Sequence, residues 1–93
     1  MRPSLSQAAE EDLIRIYVEG ARMFGLGQAD RYLDGLEQAL DFIGRNPKAA
    51  RERREIDPPV RIHVYQSHII IYVHDEGRTH VLRVRHGRED WQD

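Results

Sequence analysis

The chain has 93 residues, of which 40% are hydrophobic and 32% charged, with a formal net charge of −2. This length has room for one domain with a modest core, and we expect a single domain over residues 1–93. The composition excludes a disordered polypeptide. Because the sequence contains no cysteine, disulfide frameworks, thiolate catalysis and cysteine-based zinc sites are excluded as well.

Charge is unevenly distributed along the chain. Residues 1–47 contain five arginines and eight acidic residues, residues 48–88 contain nine basic and five acidic residues, and residues 89–93 contain three acidic residues. The basic excess in the C-terminal half is compatible with an anionic partner, and equally with a solvated surface. No apolar run is long enough for a membrane span and the N-terminus lacks a signal-peptide core, so we expect a cytoplasmic protein without membrane association.

Two amphipathic helices are predicted in the N-terminal half. Residues 2–5 favour a short edge strand, and Ser6 after them is a good N-cap for the first helix. Glycines at positions 25 and 27 are expected to end that helix, and a second runs from about Gln28 until Pro47 prevents its continuation. The short connection predicts an antiparallel αα-hairpin. Four large side chains are expected in its core: Tyr17, Met23, Phe24 and Tyr32.

The C-terminal half is expected to form a three-stranded antiparallel meander. Residues 48–57 form a connector that is either a helical extension or a loop. Residues 60–65 alternate between apolar and polar side chains, which indicates a strand with one buried face. Residues 68–74 are apolar on both faces, so this strand is placed in the centre, and the turn at 75–78 joins it to the strand at 79–86 as a β-hairpin.

The predicted architecture is α+β, with an N-terminal strand, an αα-hairpin and the meander. The helices cover one face of the sheet, because their apolar stripes need a surface to bury against. In the last strand we expect Leu82 and Val84 on one face and Val81 beside the arginines on the other. The open face is expected to present five polar side chains: Arg61, His63, Tyr65, Arg83 and Arg85.

The open face is the most informative candidate for chemistry. Arginines from two strands beside a histidine could bind phosphate, with the histidine transferring a proton, which is what a ribonuclease requires. The same arginines could equally pair with acidic residues of a protein partner. The five histidines lack the spacing of a zinc motif, so no metal site and no cofactor are predicted. Trp91 either folds back onto the domain or forms an exposed contact with a partner.

Several short motifs occur along the chain in a fixed order. They are Leu5-Ser6, Ala9, Asp12-Leu13, Ile16-Tyr17, Ala29, Tyr32, Leu36, Asn46-Pro47, Arg61, Ile70-Ile71-Tyr72, Leu82-Arg83-Val84 and His86-Gly87-Arg88-Glu89-Asp90-Trp91. No single motif is diagnostic. Together they cover nearly the whole chain and resemble the ParE toxins of bacterial toxin–antitoxin modules, within the RelE/ParE superfamily.

The resemblance implies a small bacterial toxin of the kind that stabilises plasmids, encoded beside a ParD-like antitoxin that neutralises it in a hetero-oligomer. ParE-type toxins inhibit DNA gyrase by binding and have no catalytic site, so no enzyme activity and no sequence-specific nucleic-acid binding are expected. Four residues are predicted to engage the target: Arg83, Arg85, His86 and Trp91. Three are predicted to contact the antitoxin: Arg61, His63 and Tyr65.

Two alternatives remain open at this point. The related RelE toxins cleave mRNA on the ribosome with basic sheet residues and a C-terminal tyrosine, and Arg61 and Arg83 fall where such arginines would lie. Trp91 occupies the tyrosine position, and an indole cannot exchange a proton as a phenol does. His63 or His86 could substitute in such an endoribonuclease. The other alternative is a degenerate toxin retained as a binding module.

Overall fold

A computed structural model describes residues 2–88. In chain order its elements are β1 (Ser4–Leu5), α1 (Gln7–Phe24), α2 (Leu26–Arg45), β2 (Glu52–Arg53), β3 (Val60–Tyr65), β4 (His68–Asp75) and β5 (Arg78–His86). The strands form one sheet in the order β1-β5-β4-β3-β2, with β1 parallel to β5 and all other neighbours antiparallel. The predicted α+β class, N-terminal strand, helical hairpin and meander are confirmed, and β2 is an addition.

One residue joins the first strand, the first helix and the last strand. The Ser6 Oγ accepts a hydrogen bond from the Ala9 N–H at 2.9 Å and donates one to the Leu82 carbonyl at 2.7 Å. Its own N–H donates to the Val81 carbonyl at 2.9 Å. The predicted N-cap is therefore confirmed, and it also attaches the start of α1 to β5.

A single glycine separates the two helices. Gly25 has φ +90°, which glycine adopts without steric cost, so α2 begins at Leu26, earlier than predicted. Met23 and Phe24 are 72% and 60% exposed, so their predicted place in the core is wrong. A cleft described below separates this last turn of α1 from the sheet. Among residues 2–88, no helix is long and apolar enough to cross a membrane.

Apolar side chains pack on both faces of the sheet. On the helix side, the buried core consists of Ala9, Leu13, Leu36, Ala39, Leu40, Ile43, Ile70, Tyr72, Val81 and Val84. On the opposite, outer face, a second buried cluster consists of Val60, Ile62, Ile69 and Ile71. Strand β4 contributes to both, which confirms its predicted central position.

A β-bulge in β5 changes which side chains reach the core. Ile71 pairs with Arg83 and Tyr72 with Val81, so Leu82 is an extra residue in the ladder. Val81 and Val84 therefore both point into the helix-side core, whereas Leu82 packs against the outer cluster. The prediction that Leu82 and Val84 lie on the same face of the sheet is wrong, because the bulge interrupts the alternation of a regular strand.

The connector between α2 and β3 is not helical. It consists of turns and bends around the two-residue strand β2, which pairs with the start of β3. Two side chains of the sheet hold it in place: the Tyr72 phenol donates to the Pro47 carbonyl at 2.9 Å, and Arg61 donates to the Ala50 carbonyl at 2.5 Å. This answers the question that the sequence left open for residues 48–57.

Candidate functional site

The side chains of Arg61, His63 and Tyr65 face the helices. Each lies directly opposite a residue of β4 whose side chain is on the helix side, and Tyr65 packs against the helix-side core. Their predicted position on an open face is wrong. The alternating apolar residues Val60 and Ile62 of β3 are buried in the outer cluster instead, whereas Val64 is exposed. Helix α2 leaves room for the Tyr65 phenol at Gly35, where any β-carbon would collide with it.

Arg61 and His63 do not form a phosphate site together. Arg61 is bound to the Ala50 carbonyl, and its buried Nε has no acceptor among the described residues. The His63 ring lies against Phe42, with centroids 5.5 Å apart. Burial lowers the pKa of His63 below 6.5, which keeps the ring neutral near pH 7. Neither side chain is arranged to hold an anion.

Arg83 forms an ion pair with Asp12 of α1. Its Nε lies 2.7 Å from Asp12 Oδ2 and its second guanidinium nitrogen 3.0 Å from Oδ1, while the Val84 N–H donates to Oδ2 at 2.9 Å. Asp12 is fully buried. Burial raises its pKa, but the hydrogen bonds from Arg83 and Val84 and the charges of Arg83 and Arg15 outweigh that effect and hold the pKa below 3.8. This pair attaches α1 to β5.

The other predicted target residues lie at the end of β5. Arg85 is opposite Ile69, which places it on the outer face, and His86 is opposite His68 on the helix side. The His68 and His86 rings are edge to face with centroids 5.4 Å apart, and the Arg88 N–H donates to His86 Nδ1 at 3.1 Å. Trp91 lies outside the described residues. Arg85 and His86 thus share one corner of the sheet but point to opposite faces.

A cleft of about 410 Å³ opens between the helical hairpin and the turn that joins β3 to β4. Its lining is mostly apolar and aromatic. It consists of Ile16, Tyr17, Glu19, Gly20, Met23, Phe24, Gln28, Ala29, Tyr32, Leu33, Gln66, Ser67, His68 and His86. A cleft with such a lining is typical of a site for apolar side chains of a partner or for a small ligand.

Two of the residues that line the cleft, Tyr32 and His68, form a polar aromatic pair. The Tyr32 phenol and His68 Nδ1 are 2.6 Å apart, and the Tyr32 ring also stands edge to face with Tyr65 at 5.3 Å. Burial raises the pKa of Tyr32 above 10.0, so its phenol is protonated at neutral pH. Within residues 2–88, no three histidine, cysteine or acidic side chains converge on a position that could hold a metal ion.

Sequence reasoning missed Asp12 and the pair of Tyr32 and His68. The sequence predicted no structural role for Asp12 beyond its place in the Asp12-Leu13 motif. Its position could have indicated such a role. Asp12 lies three residues after Ala9 on the buried stripe of α1, where a carboxylate without a partner would destabilise the fold. Tyr32 and His68 are 36 residues apart, and no local pattern connects them.

Comparisons with known proteins identify the family and the fold of the chain. The family model described as "ParE toxin of type II toxin-antitoxin system, parDE" matches residues 4–91. Two curated relatives named Toxin ParE1, from the CDC 1551 / Oshkosh and H37Rv strains of Mycobacterium tuberculosis, are 38% identical over 87 residues, which is 92% of this chain and 89% of theirs. A solved structure described as "Chromosomal ParDE TA system from P. aeruginosa" superposes with a TM-score of 0.80 at 16% identity, covering 92% of this chain and 95% of that one. At that identity the match shows a shared fold.

Proposed function

The chain belongs to the ParE toxin family of type II toxin–antitoxin systems, and from this premise we propose that it inhibits DNA gyrase by binding and is neutralised by a ParD-like antitoxin. The observation that carries the proposal is the arrangement of its basic side chains. Those that a nuclease would use are engaged in structural contacts, whereas an apolar cleft with exposed apolar side chains at its rim is accessible.

Binding is favoured over catalysis by the separation of the candidate groups. Arg61 contacts the connector, Arg83 pairs with Asp12, and His63 lies beside Phe42. Arg61 and His63 belong to β3 and Arg83 to β5, and strand β4 lies between these two strands. Phosphodiester cleavage requires a base and a cation within reach of one phosphate, and this set does not supply them together.

We assign the antitoxin contact to the cleft. Met23 and Phe24 at its rim are exposed, and both are large apolar side chains of the kind that become buried anchors in protein interfaces. An amphipathic helix or extended segment that folds onto the toxin could bury them. This replaces the predicted contacts through Arg61, His63 and Tyr65, since those side chains lie beneath the helical hairpin.

We assign gyrase engagement to the corner where β5 ends. Arg85 and His86 lie there on opposite faces of the sheet, and the chain continues from this corner towards Trp91. Arginine and tryptophan are both enriched among the residues that contribute most to binding energy in protein interfaces. Arg83, the fourth residue predicted for this role, supports the corner through its bond to Asp12.

A supercoiling assay with purified gyrase tests the proposal. We expect the wild-type chain to stop supercoiling, Arg85→Ala to require about tenfold more toxin if it loses about 1.4 kcal/mol of binding, and Arg45→Ala to behave as wild type. Arg45 is the matched control because it is an exposed arginine in a helix-surface pair with Asp41. Full supercoiling at saturating folded toxin would contradict gyrase inhibition, and cleaved transcripts in a translating extract would favour the endoribonuclease.

Antitoxin binding is tested by a second matched pair. Met23→Asp places a charge at the rim of the cleft, whereas Leu26→Asp places one on the same helical hairpin at a residue that is 65% exposed and outside the cleft lining. We expect the first variant to weaken antitoxin binding about tenfold or more, the size of a lost interface anchor, and the second to bind normally. Equal affinities for the two variants would place the antitoxin elsewhere.

A further inference from the structure

Glu19 of α1 places a negative charge at the rim of the cleft. Among the residues from 2 to 88 that line the cleft, it is the single carboxylate, and no lysine or arginine accompanies it. Its side chain is exposed, and within this part of the chain it forms no ion pair and no side-chain hydrogen bond. The cleft therefore combines an apolar surface with one uncompensated charge.

The place of Glu19 on α1 explains why this carboxylate has no partner. The carboxylate of Asp12 faces β5, where Arg83 and the Val84 N–H donate to it. Glu19 follows seven residues later, which is two turns and about 10 Å along the axis, so both acids lie on the same side of α1. Strand β5 ends at His86, which lines the cleft together with Glu19. The described residues of β5 thus supply donors to the first acid and none to the second.

A partner that covers the cleft also covers this carboxylate. Met23 and Phe24 follow Glu19 by about one helical turn and line the same cleft. A segment that buries these two side chains therefore removes water from the carboxylate beside them. Removing water from an unpaired carboxylate costs more free energy than burying one apolar side chain recovers. A segment that binds here with useful affinity has to bring a donor for Glu19.

Neighbouring groups of the helical hairpin favour a donor that is positively charged. Three aromatic rings line the cleft, from Tyr17, Phe24 and Tyr32, and the face of an aromatic ring attracts cations. The Tyr17 phenol donates to Asp30 at 2.6 Å, which places a second carboxylate close to this end of the hairpin. Arginine suits such surroundings best, because its planar guanidinium can form two hydrogen bonds to a carboxylate and stack on an aromatic ring.

We propose that the antitoxin segment bound in the cleft carries an arginine or lysine that pairs with Glu19, beside an apolar side chain that packs on Met23 and Phe24. The spacing of these toxin residues sets the spacing in the segment. The basic and the apolar residue are expected three or four positions apart in a helix, or two apart in an extended strand. This inference rests on the antitoxin site proposed above and adds the chemistry that the site selects.

A matched pair of substitutions tests the charge. Glu19→Gln removes the negative charge and keeps the size of the side chain, and Glu10→Gln makes the same change at an exposed residue of α1 outside the cleft lining. We expect Glu19→Gln to weaken binding of the co-expressed ParD-like antitoxin about tenfold, the size of a lost hydrogen bond to a charged group. Glu10→Gln should bind as wild type. Isothermal titration calorimetry measures both affinities, and circular dichroism verifies that both variants fold.

Met23→Asp distinguishes failure of this inference from failure of the antitoxin site. If Met23→Asp weakens antitoxin binding while Glu19→Gln does not, the cleft is the site and the charge pairing is overturned. If neither variant weakens binding, the site itself is wrong and the pairing falls with it. Equal weakening by Glu19→Gln and Glu10→Gln would also overturn the pairing, because the effect would then come from the overall charge of α1.

Charge reversal identifies the partner residue. Glu19→Arg should weaken antitoxin binding at least tenfold, because like charges then meet in a partly desolvated site. Each arginine and lysine of the antitoxin is next replaced by glutamate in turn and measured against Glu19→Arg. We expect one replacement to restore affinity for this variant while weakening affinity for the wild-type toxin. Restoration by none of the replacements, or by all of them equally, would overturn the proposal.

Discussion

Arg83 of β5 holds Asp12 of α1 by two nitrogens, at 2.7 and 3.0 Å, and the Val84 N–H occupies the same carboxylate at 2.9 Å. The carboxylate is fully buried while the arginine side chain is 36% exposed, so the negative charge is enclosed by donors from a strand 71 residues further along the chain. Such two-point pairs are geometrically specific. Here the pair fixes the first helix to the last strand.

Removal of Arg83 is expected to act on stability first. Arg83→Ala leaves a buried carboxylate without its main counter-charge, which costs about 3 kcal/mol. Arg45→Ala removes an exposed pair with Asp41 and should cost less than about 1 kcal/mol. Urea denaturation followed by circular dichroism measures both values. If Arg83→Ala kept wild-type stability while losing gyrase inhibition, the arginine would be a target contact and its bond to Asp12 dispensable.

Acid should destabilise the fold through the same carboxylate. The pKa of Asp12 is lower in the folded chain than its ordinary 3.8. Asp12 therefore stabilises the fold fully above that ordinary value, and the contribution is lost as pH falls through the lower folded pKa. We expect the unfolding free energy of the wild type to fall more steeply below pH 3.8 than that of Asp12→Asn, which has no charge to lose. Parallel pH profiles of the two proteins would contradict this assignment.

Two glycines of α2 should respond to alanine in opposite directions. At Gly35 a β-carbon would meet the Tyr65 phenol, so Gly35→Ala forces that ring to move and should cost about 1–3 kcal/mol. At Gly27 it would approach only the Arg31 guanidinium, at 3.6 Å. Gly27→Ala should therefore stabilise the helix by up to about 1 kcal/mol. Thermal unfolding of both variants, and of Gly35→Ala with Tyr65→Ala, measures the effect; strict additivity in the double variant would exclude the collision.

The connector should loosen when one hydroxyl is removed. Tyr72→Phe leaves the Pro47 carbonyl without its phenol donor, a loss of about 1 kcal/mol, while the buried ring stays in the core. Trypsin can cleave after the exposed Arg51 and Arg54 in this segment, and we expect faster cleavage there in the variant than in the wild type. Tyr17→Phe is the control, because its phenol bonds to Asp30 at the surface. Unchanged cleavage in Tyr72→Phe would show that the connector is held by other contacts.

The spacing of apolar and polar residues predicted the helices and strands well, because it follows from which side chains are buried. Ser6 as N-cap, the central position of β4 and the helical hairpin all follow from local spacing of polar and apolar residues. The choice of sheet face did not follow. The more polar side of β3 faces the helices because Gly35 accommodates Tyr65 and the Ala50 carbonyl accepts a hydrogen bond from Arg61. Gly35 and Ala50 lie outside β3, so the alternation within the strand does not reveal these contacts.

The candidate site was harder to predict for a related reason. Alternation in β5 fails at Leu82, where one extra residue turns Val81 and Val84 to the same side. A bulge leaves no signature in a single sequence when several apolar residues surround it. The cleft likewise depends on the angle between the helical hairpin and the β3–β4 turn, since its lining comes from α1, α2, that turn, the start of β4 and the end of β5. Periodicity does not encode that angle.

Because the first helix is attached to the last strand, the chain can complete its fold only after nearly all of it has been synthesised. β1, Ser6 and Asp12 leave the ribosome early but find their partners at Val81, Leu82, Arg83 and Val84. Until those residues emerge, the Asp12 carboxylate has no donors from β5 and the helix-side core lacks two valines. We therefore expect a translation product that stops before β5 to lack a stable fold and to be degraded faster by proteases than the completed chain.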